Sequence, residues 1–409
     1  MNIYAIIILT ALLLDFVMNL VADLLNLKAL DKELPDEFEE VYDEETYRES
    51  QQYTKVRTRF GVFTSAFNLA VLLLFWFAGG FNWLDQVVRG WELGAIWTGL
   101  TYIGILVFFK SVLSLPFSIY STFVIEEKFG FNETTPKTFV FDILKGLGLS
   151  VVIGGPVLAG ILIFFTYFEQ YGWLYAWGAV SLFTLLMQYV APRWIMPLFN
   201  KFEPLDDEEL REKIENYAER VQFPLREIYV MDGSKRSSKS NAFFTGFGKN
   251  KRVVLYDTLI EKHSEDELVS VLAHEIGHYK KKHIYKNMAI SILHTGVMFL
   301  LLSIFLHSEG LFEAFYMDDS SVYAGLIFFG LLFAPIGMIL SIFMQMLSRK
   351  YEYEADRFAA ETHRSESMVQ ALKRLSKDNL SNLTPHSFYV FLNYSHPPVL
   401  KRIRAIKRR

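Results

Sequence analysis

Two histidines four residues apart, with a glutamate beside the first, stand at His274-Glu275-Ile276-Gly277-His278. Residues i and i+4 of a helix share a face, so the two imidazoles lie side by side and can bind one Zn²⁺ through neutral ring nitrogens. Glu275 then adjoins the ion, where a carboxylate takes a proton from a water activated there. Two histidines are too few, because a catalytic zinc keeps three protein ligands and one open position. The stretch Tyr351-Glu352-Tyr353-Glu354-Ala355-Asp356 offers carboxylates at the same spacing. Glu352 is assigned as the third ligand. Asp356, on the same face, then hydrogen-bonds a zinc histidine, His274, and fixes its tautomer. Glu354 points elsewhere, into solvent. The chain has no cysteine, so any metal must use His, Asp or Glu.

The element that carries the two histidines reads as a helix, with apolar residues filling one side of 269–278 and Ser264-Glu265-Asp266-Glu267 before it as a capping box. Upstream, acids at Asp206-Asp207-Glu208 suit the start of another helix. A short strand is expected at Ile228-Tyr229-Val230-Met231. A hairpin follows, running over 241–247, turning at Gly248-Lys249-Asn250-Lys251 and returning through Arg252-Val253-Val254-Leu255-Tyr256.

These pieces sit in an unusually apolar chain. Of 409 residues, 52% are hydrophobic and 16% aromatic, which no ordinary soluble enzyme needs. Seven apolar runs account for the excess, each near the ~20 residues that cross a bilayer as helix: about 3–25, 60–80, 94–114, 147–168, 173–190, 288–307 and 323–347. The first lacks a small-residue cleavage site and reads as a retained span. A net charge of −4 gives no reason to invoke nucleic acid. Asp15, Asn19 and Asp23 recur every four residues and line one face of the first span; Lys110 in the third is a candidate partner, and His294 intrudes into the sixth. Charges at membrane depth face protein or a hydrated space; a packed polar network and a hydrated chamber both fit them.

The chain divides into spans one to five with their connectors (1–192), a hydrophilic insert carrying the hairpin and the histidine helix (193–287), spans six and seven (288–348) and a C-terminal segment with the carboxylate helix (349–409). Lysines and arginines crowd the connectors after spans one and three, the insert and the tail, while the intervening loops hold Arg89 and little else. Seven spans with the N-terminus outside fit this alternation, with the insert and tail on the cytosolic side.

The histidine motif followed two spans later by Glu352-Tyr353-Glu354-Ala355-Asp356 resembles the type I CaaX prenyl proteases, integral-membrane zinc endopeptidases. Residues 126–135, Pro197-Leu198-Phe199-Asn200-Lys201-Phe202, Ser240-Asn241-Ala242-Phe243, Leu255-Tyr256-Asp257-Thr258-Leu259 and Ser395-His396-Pro397-Pro398 extend the resemblance over nearly the whole chain. The smaller HtpX-like relatives share the zinc motifs but have fewer spans. The resemblance implies a mostly α fold: a seven-helix transmembrane barrel around a large intramembrane chamber, with a gluzincin-like peptidase domain of helices and a small β-hairpin on the cytosolic side. It also implies that Asn241, Ala242 and Phe243 lie on an edge strand that grips substrate backbone. His396 would steady the oxyanion, and Arg402 would support that region. The implied substrate is a prenylated C-terminal CaaX protein or peptide trimmed of its last three residues. The implied location is the endoplasmic reticulum or, in a bacterium, the inner membrane. Two other readings are a quality-control protease of unprenylated membrane proteins and a seven-span transporter or receptor, whose path would be the Asp15, Asn19, Asp23 and Lys110 set. The remaining histidines, His263, His283, His294, His307, His363 and His386, read as structural; His283, five beyond His278, falls off the metal face.

Overall fold

The computed structural model describes residues 1–30, 33–245 and 251–408. Seven of its helices are long and apolar enough to cross a membrane. The first two are α1 (Ile3–Lys28) and α2 (Glu44–Phe77), followed by a short α3 (Gly80–Arg89) and by α4 (Ala95–Tyr120). The fourth span joins α5 (Pro136–Leu149) to α6 (Gly155–Tyr167), and the fifth joins α7 (Gly172–Val190) to α8 (Met196–Phe199). Both junctions are π-helical turns, at Ser150–Gly154 and Ala191–Ile195. Pro156 follows the first and Pro192 lies in the second. A proline ring clashes with the carbonyl four residues back, and a one-residue slip of the ladder relieves that clash while the helix continues.

Several elements differ from the sequence reading. The spans start earlier, because the polar stretches before residues 60 and 147 continue the helix outside the apolar run. The loop expected after the second span is α3, entered through Gly79 in the left-handed region (φ 71°). It buries Phe81, Leu84 and Val88, and buried Asp85 is held by Arg89 (2.6 Å) and the Tyr323 hydroxyl. Lys110 pairs with neither Asp15 nor Asp23 among the described residues; it is exposed, and Asp15 accepts instead from Asn19 (3.2 Å).

The spans pack tightly at one end only. Ile8, Trp76, Tyr102, Leu162, Phe299 and Phe328 share one core. They come from the starts of spans one, three and seven and the ends of two, four and six, hence from one end of the barrel. Further along, residues 107–113 of α4 are all exposed. Seven consecutive residues cover nearly two full turns, so the helix is open around its whole circumference there. A helix in the wall of a hollow barrel is open in this way, on its outer face and on its inner one. Only 6% of the apolar window in spans two to five is buried, as helices standing around a chamber require and a packed bundle does not.

The other end carries the second core. Strands β1 (Phe202–Pro204), β2 (Leu225–Met231), β3 (Ala242–Thr245) and β4 (Lys251–Tyr256) form a sheet in the order β1-β2-β4-β3. β3 and β4 are antiparallel, whereas β4 runs parallel to β2. The expected turn at Gly248-Lys249-Asn250 lies outside the described residues. Helices α9 (Glu208–Arg220), α10 (Asp257–Lys262) and α11 (Glu265–Lys280) pack here. They are followed by α12 (His283–Phe305), α13 (Glu309–Glu313) and α14 (Val322–Thr362), and then by α15 (Ser365–Asp378), α16 (Ser387–Asn393) and α17 (Val399–Lys407). α14 is one 41-residue helix, so the seventh span and the carboxylate segment are continuous and the expected division at residue 348 falls inside it.

Candidate metal centre and active site

α11 starts at the expected capping box, where Ser264 N–H donates to Glu267 (3.0 Å). Residues 267–274 are all buried, so this helix is a core element rather than a wet surface one. It meets α14 at Gly277. A Cβ there would lie 3.0 Å from Ala355 Cα and 3.1 Å from its carbonyl oxygen. That close approach brings the histidine face of α11 onto the carboxylate face of α14.

The facing atoms converge. His274 Nε2 and His278 Nε2 are 3.2 Å apart. Glu352 Oε2 lies 3.5 Å from the first and Oε1 3.3 Å from the second. A tetrahedral ion with bonds of about 2.0–2.1 Å has ligand-to-ligand edges of about 3.3–3.4 Å. Glu352 Oε2 is buried and accepts no well-formed hydrogen bond, its nearest cation being Arg402 Nη1 at 3.4 Å, so a metal ion would complete its partners. Among the described residues this is the one His, Cys, Asp and Glu cluster with metal-holding geometry.

Around it, the nitrogen of His274 that faces away from Glu352 is tied down. Its Nδ1–H donates to Asp356 Oδ1 (2.9 Å). Asp356 in turn accepts a forked pair from Arg402, Nε to Oδ2 at 2.8 Å and Nη2 to Oδ1 at 2.6 Å. Arg402 Nη1 also stands 3.4 Å from Glu352 Oε2. Arg402, expected to support the His396 region, stands behind the same Glu352 carboxylate that His396 borders, with its hydrogen bonds directed to Asp356. His396 Nε2 lies 3.3 Å from Glu352 Oε1, on a side chain 63% exposed, so its ring borders the centre from the open side. Burial pushes the Glu275 carboxyl up; the neighbouring His274 and His278 rings pull it back, and the Glu352 charge raises it again.

β3 is the edge of the sheet, paired on one side only by β4, with Ala242 opposite Leu255 and Phe243 opposite Val254. It packs on α11 through Phe244, whose ring meets that of Tyr279, the residue after His278 (6.3 Å). Asn241 is exposed just ahead of the strand and its side chain accepts from Ala242 N–H (2.8 Å).

Two residues read otherwise from sequence are drawn in. His283 is buried, 3.0 Å from His278 Nδ1 through its own Nδ1, and Glu354 is its partner (3.0 Å) rather than a solvated acid. An uninterrupted helix would carry His283 off the face. The chain instead breaks at Lys282, in the left-handed region (φ 59°), and α12 sets out in a new direction. The signal was the Lys280-Lys281-Lys282 run, basic residues gathering at a helix end.

A membrane barrel with a peptidase-type metal cluster held between α11 and the end of α14, its seventh span, defines an integral-membrane metalloendopeptidase. The family model described as CAAX prenyl protease N-terminal, five membrane helices, matches residues 23–201, and that of peptidase family M48 matches residues 204–409. The chain belongs to peptidase family M48, with the membrane domain of its CAAX prenyl proteases. It is 42% identical over 313 residues to a CAAX prenyl protease 1 homolog of Oryza sativa, covering 75% of this chain and 73% of that one. It is 35% identical to CAAX prenyl protease 1 of Saccharomyces cerevisiae, over 93% of this chain and 89% of the other. The crystal structure of S. mikatae Ste24p superposes with a TM-score of 0.92 at 34% identity, covering 99% of both chains.

Proposed function

We propose that this protein is a zinc endopeptidase that removes the last three residues of prenylated CaaX proteins at the cytosolic face of a membrane, the endoplasmic reticulum in a eukaryote. The observation that carries this reading is the convergence of His274 Nε2, His278 Nε2 and the Glu352 carboxylate, 3.2–3.5 Å apart and beside Glu275. Zinc, when bound by these three, supplies Lewis acidity to a water and to the scissile carbonyl. Glu275, with burial raising its proton affinity, takes the water's proton and returns it to the leaving amine. His396, on the open side, donates to the carbonyl oxygen as charge gathers there. The Arg402–Asp356 fork holds His274 in the tautomer that leaves Nε2 free.

The unpaired edge of β3, at Ala242 and Phe243 with Asn241 ahead of it, offers main-chain donors and acceptors to an extended peptide whatever its side chains. The chamber receives the lipid. The Lys and Arg distribution supports a cytosolic active site with the N-terminus on the opposite side. Purified zinc-loaded protein is expected to cleave a farnesylated CaaX peptide, to stop with a chelator and to recover with zinc, while Glu275→Gln stays inactive. Equal cleavage of an unmodified peptide would favour a quality-control role, and solute flux indifferent to chelator would remove the peptidase reading.

A further inference from the structure

The two candidate zinc histidines are braced unequally. His274 donates straight to a carboxylate, Asp356. His278 has none; its Nδ1 faces the Nδ1 of another imidazole, His283, at 3.0 Å. We propose that His283 and Glu354 are positioning residues that hold His278 for the metal through a two-link relay. The inference rests on the reading of His278 as a ligand.

The proton positions follow from hydrogen-bond logic. His278 Nε2 is the atom turned toward Glu352 and His274 Nε2, so it must carry the free lone pair. A neutral imidazole has one N–H, which then sits on Nδ1. That group donates to His283 Nδ1, so His283 bears its own proton on Nε2. This second N–H points at Glu354 Oε2, 3.0 Å away. Every link is thereby fixed, and the Glu354 charge reaches His278 across one imidazole.

The surroundings leave little freedom. The His283 side chain is 2% exposed, and its ring stacks on Tyr351 with centroids 3.9 Å apart and planes 12° from parallel. Both braces spring from the helix that supplies the third ligand: Asp356 directly, Glu354 by way of His283. One helix therefore sets the carboxylate ligand and the orientation of both histidines. The left-handed Lys282 makes the second brace possible, since it turns His283 back toward the site.

The alternative is that His283 is only a flat ring packed on Tyr351. His283→Phe keeps the stacking and removes both nitrogens. The test is zinc affinity of the full-length, detergent-purified protein, by competition with a chromophoric chelator, beside the melting temperature of the zinc-free form. Loss of such a partner weakens metal binding about 10–100-fold. That loss is expected in His283→Phe with little change in zinc-free melting, and His283→Asn, whose amide oxygen can accept from His278, should recover part of it. Glu354→Gln should weaken zinc too, and adding it to His283→Phe should cost nothing more. Zinc affinity within twofold of the parent in both His283→Phe and Glu354→Gln overturns the relay. If His283→Phe fails to fold, Glu354→Gln decides alone, since Glu354 is a half-buried side chain on a helix surface. A His278→Ala variant that binds zinc like the parent overturns the ligand reading itself, and the relay with it.

Discussion

Gly277 and Ala355 touch backbone to backbone: a methyl group at position 277 would sit 3.0 Å from Ala355 Cα. In Gly277→Ala the helix gains about 1 kcal/mol of propensity. The overpacked contact costs about 1–3 kcal/mol, with neighbours on both sides buried. The net expectation is a less stable protein that holds metal poorly, because α11 and α14 are pushed apart where their ligands meet. Metal content by elemental analysis and a melting curve check this. A variant with full metal content and unchanged melting would mean the helices reseat freely.

Glu275→Gln separates metal from chemistry. The substitution is nearly isosteric, and Glu275 is not among the three atoms spaced for the ion. Metal should stay bound while peptide cleavage falls by about 10²–10⁴, the usual worth of a positioned base. Turnover near the parent rate would remove Glu275 from the proton transfer.

Metal uptake should release a proton. Burial works against a charge on His274, but the Asp356 hydrogen bond and the facing Glu352 carboxylate outweigh it and hold the metal-free ring up at about 9. A ring raised this far is protonated at neutral pH, and it must lose that proton before Nε2 can bind an ion. Apparent metal affinity should therefore climb about tenfold per pH unit from neutral pH toward 9 and level off above it. Calorimetric titration of zinc in two buffers of different ionisation enthalpy reads the proton directly. Equal heats in both buffers would show a neutral His274.

Arg402 and Asp356 form a buried, doubly hydrogen-bonded pair with side chains 12% and 3% exposed. Removing one partner leaves the other charge uncompensated, at about 3–5 kcal/mol. Arg402→Met should melt well below the parent, while the double variant with Asp356→Asn recovers part of the loss. Metal affinity should stay low in both, because Asp356 is no longer held against His274 by the fork in the single variant and its charge is gone in the double one. A double variant as unstable as the single one would show that the pair matters through packing alone.

Local patterns made much of the site legible in the sequence. His274, His278, Glu352 and Asp356 announce themselves by four-residue spacing, and the capping box marks where α11 begins. What escaped was set by geometry between elements. His283 is brought in by a single left-handed residue at a helix junction, a break no periodicity reveals. α3 hides behind Gly79, because a glycine pair after an apolar run reads equally as a loop. β1 and the parallel pairing of β2 with β4 depend on neighbours distant in sequence. Lys110 invited a partner by its charge, but a helix facing a wide interior leaves its long side chain no obligation to find one.

α14 spans about 60 Å at the usual rise of about 1.5 Å per residue. One end is anchored among the aromatic rings of the closed core, at Phe328, and the other carries Glu352 and Asp356. One unbroken helix thus ties the closed end of the barrel to the third candidate ligand, so the spacing between the two ends is set within a single element rather than across a loop.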